Sequence, residues 1–403
     1  MSRRRRITRT NALVTLFGLI MICVLGVIYS LTGRDIGGIF NSGAATPTNT
    51  PQFAPPGSTP IVNVPPVGSS GGSGWEVYFT DPLNVNDPAQ WQNSIEGRLI
   101  EKIDAAQNSI HIASFEFDLT PVAQALIAAR QRGVDVRWVT DDENGMEADG
   151  EPGRGQFAML RQASIEVRAD TRSALMHNKF WIFDRQIVWT GSTNITENGV
   201  FKQDNNTIVI HSPELASIYE GEFAEMWEGQ FGPTSPSQLP EQRAVVNGTP
   251  ISVIFTSEDG ALEQAIIPLV NSAQSSIRFL AFSFTDYPLA NAMITRLRNG
   301  VNVAGVYERV GSDTEASEFK TLFCAGVPVR KDGNPSFMHN KIIVVDERYV
   351  VTGSMNYSTS AEEGNDENVI ILDNPDIARL YLQDFDRIWA QATDPAPGTV
   401  ACQ

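Results

Sequence analysis

Apolar positions recur along this chain in a fixed order, twice over. SIHIASFEF (109–117) and SIRFLAFSF (276–284) are dense in β-branched and aromatic residues and predict strands. Each is followed by a proline and an Ala/Leu-rich stretch of helical period, PVAQALIAARQRG (121–133) and PLANAMITRLRNG (288–300), which glycine closes. VDVRWV and VNVAGV then predict the next strand, which completes a βαβ unit with parallel strands and a right-handed crossover. Further on, KFWIFD (179–184) and KIIVVD (341–346) read as a strand and a two-residue polar turn (RQ, ER). The returning strands are IVWTGS and YVVTGS. Helical period resumes in LASIYEGEFAEMWEG and IARLYLQDFDRIWAQ.

The two series are copies. Residues 105–126 align with 272–293 at an offset of 167, and MHNKFWIFDRQIVWTGSTN (176–194) aligns with MHNKIIVVDERYVVTGSMN (338–356) at an offset of 162. Self-similarity over such a length means a duplicated structural unit. The expected fold is α/β: two repeated sandwich halves related by a pseudo-two-fold, with one mixed sheet each and the helices outside.

Within the repeat sits H-x-K-x(4)-D-x(6)-G-S-x-N, first as His177, Lys179, Asp184, Gly191, Ser192 and Asn194, then as His339, Lys341, Asp346, Gly353, Ser354 and Asn356. Residues two apart on a strand share a face, so each hairpin aims an imidazole, an ammonium and an amide at one spot. Two such hairpins across a pseudo-two-fold surround one phosphate with fixed donors, as a pentacoordinate phosphorus requires. A neutral imidazole attacks phosphorus, and a protonated one donates to the leaving oxygen. Ser192, Asn194, Ser354 and Asn356 are expected to bind phosphate with the lysines. Asp184 and Asp346, at the turn, fix it or form ion pairs. Gly191 and Gly353 admit close backbone approach. His111 and His211 lack any such setting; His111 aligns with Arg278, an exposed strand position.

The duplicated motif resembles the HKD signature of the phospholipase D superfamily, over about 75–392. The resemblance implies a phosphoric diester hydrolase working through phosphohistidine, without metal or cofactor, with the motif residues, Asp184 and Asp346 among them, as its catalytic set. It also implies an acidic residue that orients a histidine. NDEN (365–368) places Glu367 on a strand near His339, whereas the aligned QDNN (203–206) offers Asn205 and, one position out of register, Asp204. A carboxylate raises an imidazole's pKa, so Glu367 marks His339 as general acid and leaves His177 as nucleophile.

Charge and composition add the setting. Net charge is −17, but six arginines precede the first acid, Asp35; beyond it 24 basic residues face 47 acids, about −23. Such a body disfavours unspecific polyanion binding. Residues 12–33 hold an uncharged apolar run, Ala12 to Leu31, long enough to cross a bilayer, behind the basic residues of 1–11. The positive-inside rule then puts the N-terminus in the cytoplasm and the body outside it, on an anchor; a cleaved signal peptide is the rival. Residues 34–74, rich in Pro, Gly and Ser, form a disordered linker. The halves follow at 75–232 and 249–392, separated by a linker (233–248) and trailed by a tail (393–403). Cys23 lies in the apolar run, which leaves Cys324 and Cys402 as the one possible bridge of the body. So sparse a pair reads first as two unpaired thiols, with the bridge as the rival.

The leading expectation is a membrane-tethered phospholipase D-type hydrolase acting on phospholipid, with no obligate protein partner. A nuclease or nucleic-acid phosphodiesterase and a phosphatidyl transferase are the enzymatic alternatives. A non-catalytic binding module is disfavoured, because neither motif is degenerate.

Overall fold

The computed structural model describes residues 74–235 and 242–402. The expected anchor at 12–33 lies outside them, as do most of the expected 34–74 linker and 236–241 of the second linker. Among the described residues no helix is long and apolar enough to cross a membrane.

Seven strands form the first sheet: β1 (Trp75–Phe79), β2 (Ser109–Ser114), β3 (Asp135–Thr140), β4 (Glu166–Ala169), β5 (Lys179–Phe183), β6 (Ile187–Gly191) and β7 (Asn206–His211). Their order is β1-β7-β6-β5-β2-β3-β4. The second sheet holds β8 (Gln242–Val246), β9 (Thr249–Thr256), β10 (Ser276–Ala281), β11 (Asn302–Tyr307), β12 (Val329–Lys331), β13 (Lys341–Val345), β14 (Tyr349–Gly353) and β15 (Glu367–Asp373). Read from its other edge it runs β8-β9-β15-β14-β13-β10-β11-β12. That is the first order with one strand added. β2 and β3 pair in parallel, as do β10 and β11, with helices Thr120–Gln131 and Tyr287–Arg298 as the crossovers. The β5–β6 and β13–β14 hairpins are antiparallel, so both sheets are mixed.

Each sheet is covered on both faces. One face packs on its own half's crossover helices, through Ile112, Trp138 and Trp181 in the first half and Phe279, Val303 and Ile343 in the second. The other faces meet in a single core shared by the halves, which includes Phe180, Val188, Ile342 and Val350. Helices Pro213–Trp227 and Pro375–Gln391 contribute Tyr219, Phe223, Tyr381 and Phe385 to that core. These closing helices therefore lie inside, against the expectation of helices only on the outside. Their burial explains His111, which is not exposed: it is 4% accessible, stacks on Phe223 and bonds Glu220 at 2.8 Å.

The hairpin turns centre one residue earlier than expected. Positive φ falls on Asp184 and Arg185, and on Asp346 and Glu347. Each aspartate accepts from three successive backbone N–H groups, 107–109 or 274–276, and so ties its turn to the start of β2 or β10. Gly191 and Gly353 have φ of 148° and 138°, and a Cβ on either would lie 2.3 or 2.1 Å from the carbonyl of Asn206 or Asn368. The close approach expected there is observed.

One boundary differs from the sequence reading. Residues 242–246, expected in the linker, form β8 against β9. The tail is fastened to the second half: Thr393 bridges Lys331, Arg330 pairs with Asp394 at 2.9 Å, and Cys324 and Cys402 form a disulfide across 78 residues. The expectation of unpaired thiols is thus wrong; the fold brings their Cα atoms to 5.4 Å, inside bonding range. Closing a loop of that length is worth about 2–4 kcal/mol. Reductant should lower the thermal midpoint of the wild-type protein and leave that of Cys402→Ser unchanged. Equal sensitivity of the two proteins would place the effect elsewhere.

Candidate active site

The site lies where the halves exchange short segments. Met176 bridges Asp366 in parallel, and Asp204 bridges Met338. The N–H of His177 donates to the Asp366 carbonyl at 2.9 Å, and that of His339 to the Asp204 carbonyl at 2.9 Å. Each histidine thus sits beside the segment of the opposite half, just ahead of the strand that opens at its lysine.

This exchange corrects the pairing expected for Glu367. The carboxylate meets His177, not His339, with Nδ1 to Oε2 at 2.7 Å. Nδ1 of His339 instead faces the Asn205 Oδ1 at 3.0 Å and the Ser192 carbonyl at 3.2 Å. All these partners accept, so Nδ1 carries the proton in both rings and each Nε2 is free. Asn205 is held for this purpose, since it accepts from Ser192 Oγ at 2.8 Å and donates to the Gly199 carbonyl at 2.9 Å. Asp204, the other carboxylate considered, is turned away to Arg387 and Asn334.

Both lysines are buried beside their histidines. Lys179 Nζ donates to the His177 carbonyl at 2.7 Å and lies 5.0 Å from the ring centre of Phe115. Lys341 repeats this with the His339 carbonyl at 2.8 Å and Phe282 at 4.6 Å. The same phenylalanines stand edge-on to His177 and His339 at 4.8 and 4.6 Å. Phe115 and Phe282 went unremarked in the sequence, although they align at the 167 offset. The paired amides also went unremarked. Asn206 donates to Asn340 at 2.8 Å and Asn368 to Asn178 at 3.0 Å, while Thr352 and Thr190 hold Asn206 and Asn368. The 162 offset marks all of these positions.

Other expected site residues fall elsewhere. Asp184 and Asp346 lie at the far end of their strands from the lysines, roughly 17 Å away at a strand's rise, and do not touch the site. Ser192 Oγ is occupied by Asn205 and Asn206, and Ser354 Oγ by the Asn368 N–H. Both serines are fully buried, with their hydroxyls engaged inside the protein. Asn194 is buried and Asn356 half-buried, each just after the second strand of its hairpin. Asn194 Nδ2 donates to Glu116 at 3.0 Å, where the second half has Ser283.

The electrostatics follow from burial. It lowers the pKa of His177, with the Glu367 carboxylate pulling the other way. His339 is lowered further, by burial and then by Lys341, Lys179 and His177. Burial also brings Lys179 down to about 8, and it lowers Lys341 well below the usual value, reinforced by Lys179. Burial pushes Glu367 up, but His177 and Lys179 outweigh it and keep the carboxylate ionised. Groups from both motifs act on one another's charge, so they form one centre. The paired ammoniums give that centre its attraction for an anion, while Glu367, Glu116 and Asp141 balance part of the charge on Lys179.

The family model described as "Cardiolipin synthase, PLD-like domain" matches residues 99–227 and 266–389. The chain belongs to the phospholipase D superfamily. Among curated proteins of this superfamily, the mitochondrial cardiolipin hydrolase of Homo sapiens is 35% identical over 133 residues, which is 33% of this chain and 52% of the relative. A phospholipase D of Rickettsia conorii is 32% identical over 135 residues, 34% of this chain and 67% of that protein. The chain spans about half to two thirds of the length of the curated relatives it matches. In fold it resembles a phosphatidylserine synthase of Haemophilus influenzae, at 15% identity and TM-score 0.55 over 79% of this chain and 86% of that one.

The free-enzyme ionisations predict a pH profile for kcat/KM. A general acid at His339 is protonated only below the ordinary imidazole range, and Lys179 keeps its charge only below about 8. Activity should therefore climb as pH falls from 8 toward acid. Asn205→Asp would set a carboxylate against Nδ1 of His339, raise its pKa and carry the first descending limb to higher pH. A limb that stays in place in this variant would mean that His339 does not set it.

Proposed function

We propose that this protein is a phospholipase D-type phosphodiesterase that hydrolyses a phospholipid through a phosphohistidine on His177. The observation that carries the reading is the unequal support of two facing imidazoles, Glu367 behind His177 and neutral carbonyls behind His339. When Nε2 of His177 attacks phosphorus, the ring becomes cationic while its Nδ1 proton stays in place. A carboxylate at Nδ1 stabilises that charge. His339 must shed and recover a proton, and neutral acceptors leave its imidazolium acidic enough to do so. The roles are those expected from the sequence, but for the opposite reason.

In the first step the His177 Nε2–phosphorus bond forms, the bond to the alcohol oxygen breaks, and Nε2–H of His339 protonates that oxygen. In the second, His339 takes a proton from water, whose oxygen attacks phosphorus and releases His177. Lys179 and Lys341, with the amides of Asn194 and Asn356, balance the phosphoryl oxygens. These steps call on no metal, and excess EDTA should leave turnover in place.

Phospholipid is favoured over nucleic acid by the names of the relatives, by the acidic body and by the apolar run at 12–31, read as a membrane anchor. A disulfide between Cys324 and Cys402 suits a body held in an oxidising compartment outside the cytoplasm. The direct test assays full-length protein side by side on phosphatidylcholine vesicles, single-stranded DNA and bis(p-nitrophenyl) phosphate. Cleavage of DNA without release of head group would overturn the lipid assignment.

The histidine roles are separable. His177→Ala should abolish turnover and the alkali-stable, acid-labile labelling of the protein that a phosphohistidine gives. His339→Ala should be slowed roughly a hundred- to ten-thousand-fold on natural esters, yet recover its first step with a p-nitrophenolate leaving group. Glu367→Gln should lose on the order of a hundredfold with both kinds of substrate, since it weakens the nucleophile's support. An adduct mapped to His339, or rescue of Glu367→Gln by the good leaving group, would reverse the assignment.

A further inference from the structure

Each bridge at the seam carries a buried aspartate. Asp204 and Asp366 occupy related positions, 162 residues apart, and both are almost closed to solvent. Their backbones hold the motif segments. The Asp366 carbonyl accepts from the His177 N–H at 2.9 Å, and its N–H donates to the Leu175 carbonyl at 2.8 Å. Asp204 does the same with the His339 N–H and the Phe337 carbonyl, both at 2.9 Å. The residue after each aspartate, Glu367 or Asn205, is the one that supports a ring across the seam. Burial pushes both carboxyls up, Asp366 to about 7, and one arginine is the strongest pull the other way in each.

Those two arginines come from unrelated places and grip the chain alike. Arg172, between β4 and β5, bonds the Asp366 carboxylate and, at 3.3 Å, the Gly364 carbonyl. It clamps the chain on both sides of Asn365, whose Nδ2 donates to Glu367 Oε1 at 3.1 Å. Arg387, on helix Pro375–Gln391, bonds Asp204 at 2.9 Å and the Thr80 carbonyl at 3.1 Å. Thr80 brackets Asn205 in turn: its Oγ1 accepts from the Asn205 N–H at 2.6 Å, and its N–H donates to the Asn205 carbonyl at 3.0 Å. The position related to Arg172 is Asn334, which assists Arg387 by donating to Asp204 at 2.7 Å. A guanidinium that spans two acceptors fixes a segment in a way a point charge does not.

We propose that Arg172 and Arg387 are positioning residues of the reaction, one for each histidine. Arg172 acts through Asp366 and Glu367 on His177, and Arg387 through Asp204, Thr80 and Asn205 on His339. Each sets the partner of Nδ1 and, with it, the direction in which the Nε2 of that ring points. This placement holds whichever diester is cleaved; its kinetic consequence rests on His177 as nucleophile and His339 as acid.

The first readout is the pair of Nδ1–H signals in full-length protein carrying nitrogen-15 histidine, assigned with His177→Ala and His339→Ala. Arg172→Met should shift the His177 signal and leave that of His339 in place, and Arg387→Met should do the reverse. The second readout is kcat on phosphatidylcholine vesicles against bis(p-nitrophenyl) phosphate. Arg172→Met should lose up to about a hundredfold on both, with KM little changed. Arg387→Met should lose as much on the vesicles and recover with p-nitrophenolate as leaving group. If a methionine variant fails to fold, Arg172→Lys or Arg387→Lys, which keeps the charge without the fork, should give the same pattern more weakly. A merely structural role perturbs both rings, so signals that move together, or not at all, would overturn the proposal. Selective shifts with kinetics that follow the other histidine would uphold it and overturn the roles of nucleophile and acid. Vesicles left uncleaved would count against the lipid reading alone, because the signals still decide the positioning.

Discussion

Everything at the centre of this molecule depends on two short parallel bridges, Met176 to Asp366 and Asp204 to Met338. They lay the segment ahead of β7 against the second motif and the segment ahead of β15 against the first. Without them each hairpin would present a histidine and a lysine to solvent, with no partner for Nδ1 and no facing imidazole. With them, a residue two places after an unremarkable glutamine or asparagine becomes the support for a histidine more than 130 positions away. The buried amide pairs Asn206–Asn340 and Asn368–Asn178 lock the same seam. Their hydrogen bonds would be left unmet if the halves slid, so the seam admits one register.

That register carries an electrostatic cost. Two ammoniums lie nearly free of solvent, offset by the Glu367 carboxylate and, at Lys179, by Glu116 and Asp141 as well. Burying an ion costs several kcal/mol even after relaxation. The cost is met in part by carbonyls of the protein's own chain and by the faces of Phe115 and Phe282. The paired ammoniums remain the attraction for a phosphodiester anion. Burial is the first cause of the lowered pKa of both histidines and both lysines.

Duplication explains the symmetry, and the departures from it explain the division of labour. Glu367 against Asn205 makes two chemically equal imidazoles unequal. Arg387 of the second half stands where the first half has Glu225.

Much of this was legible in the chain itself. Periodicity predicted the paired βαβ units and hairpins, because side-chain alternation and helical period are local consequences of backbone geometry. The repeated His-Lys-Asn spacing predicted one phosphate-binding centre, because residues two apart on a strand share a face. The fixed offsets also mark Phe115, Phe282 and the seam asparagines, once one knows to look. Other features depended on which surfaces meet. Glu367 was close to His339 in sequence and yet belongs to His177, since strand exchange between halves leaves no trace in local spacing. His111 sits on an alternating strand and is buried only because helix Pro213–Trp227 folds back over that face. Ser192 points to Asn205 because the chain bends at Gly191. Cys324 and Cys402 pair because the tail returns across the sheet edge. Local order is written in near-neighbour chemistry; partnership between distant segments is decided only when the tertiary fold brings them within reach.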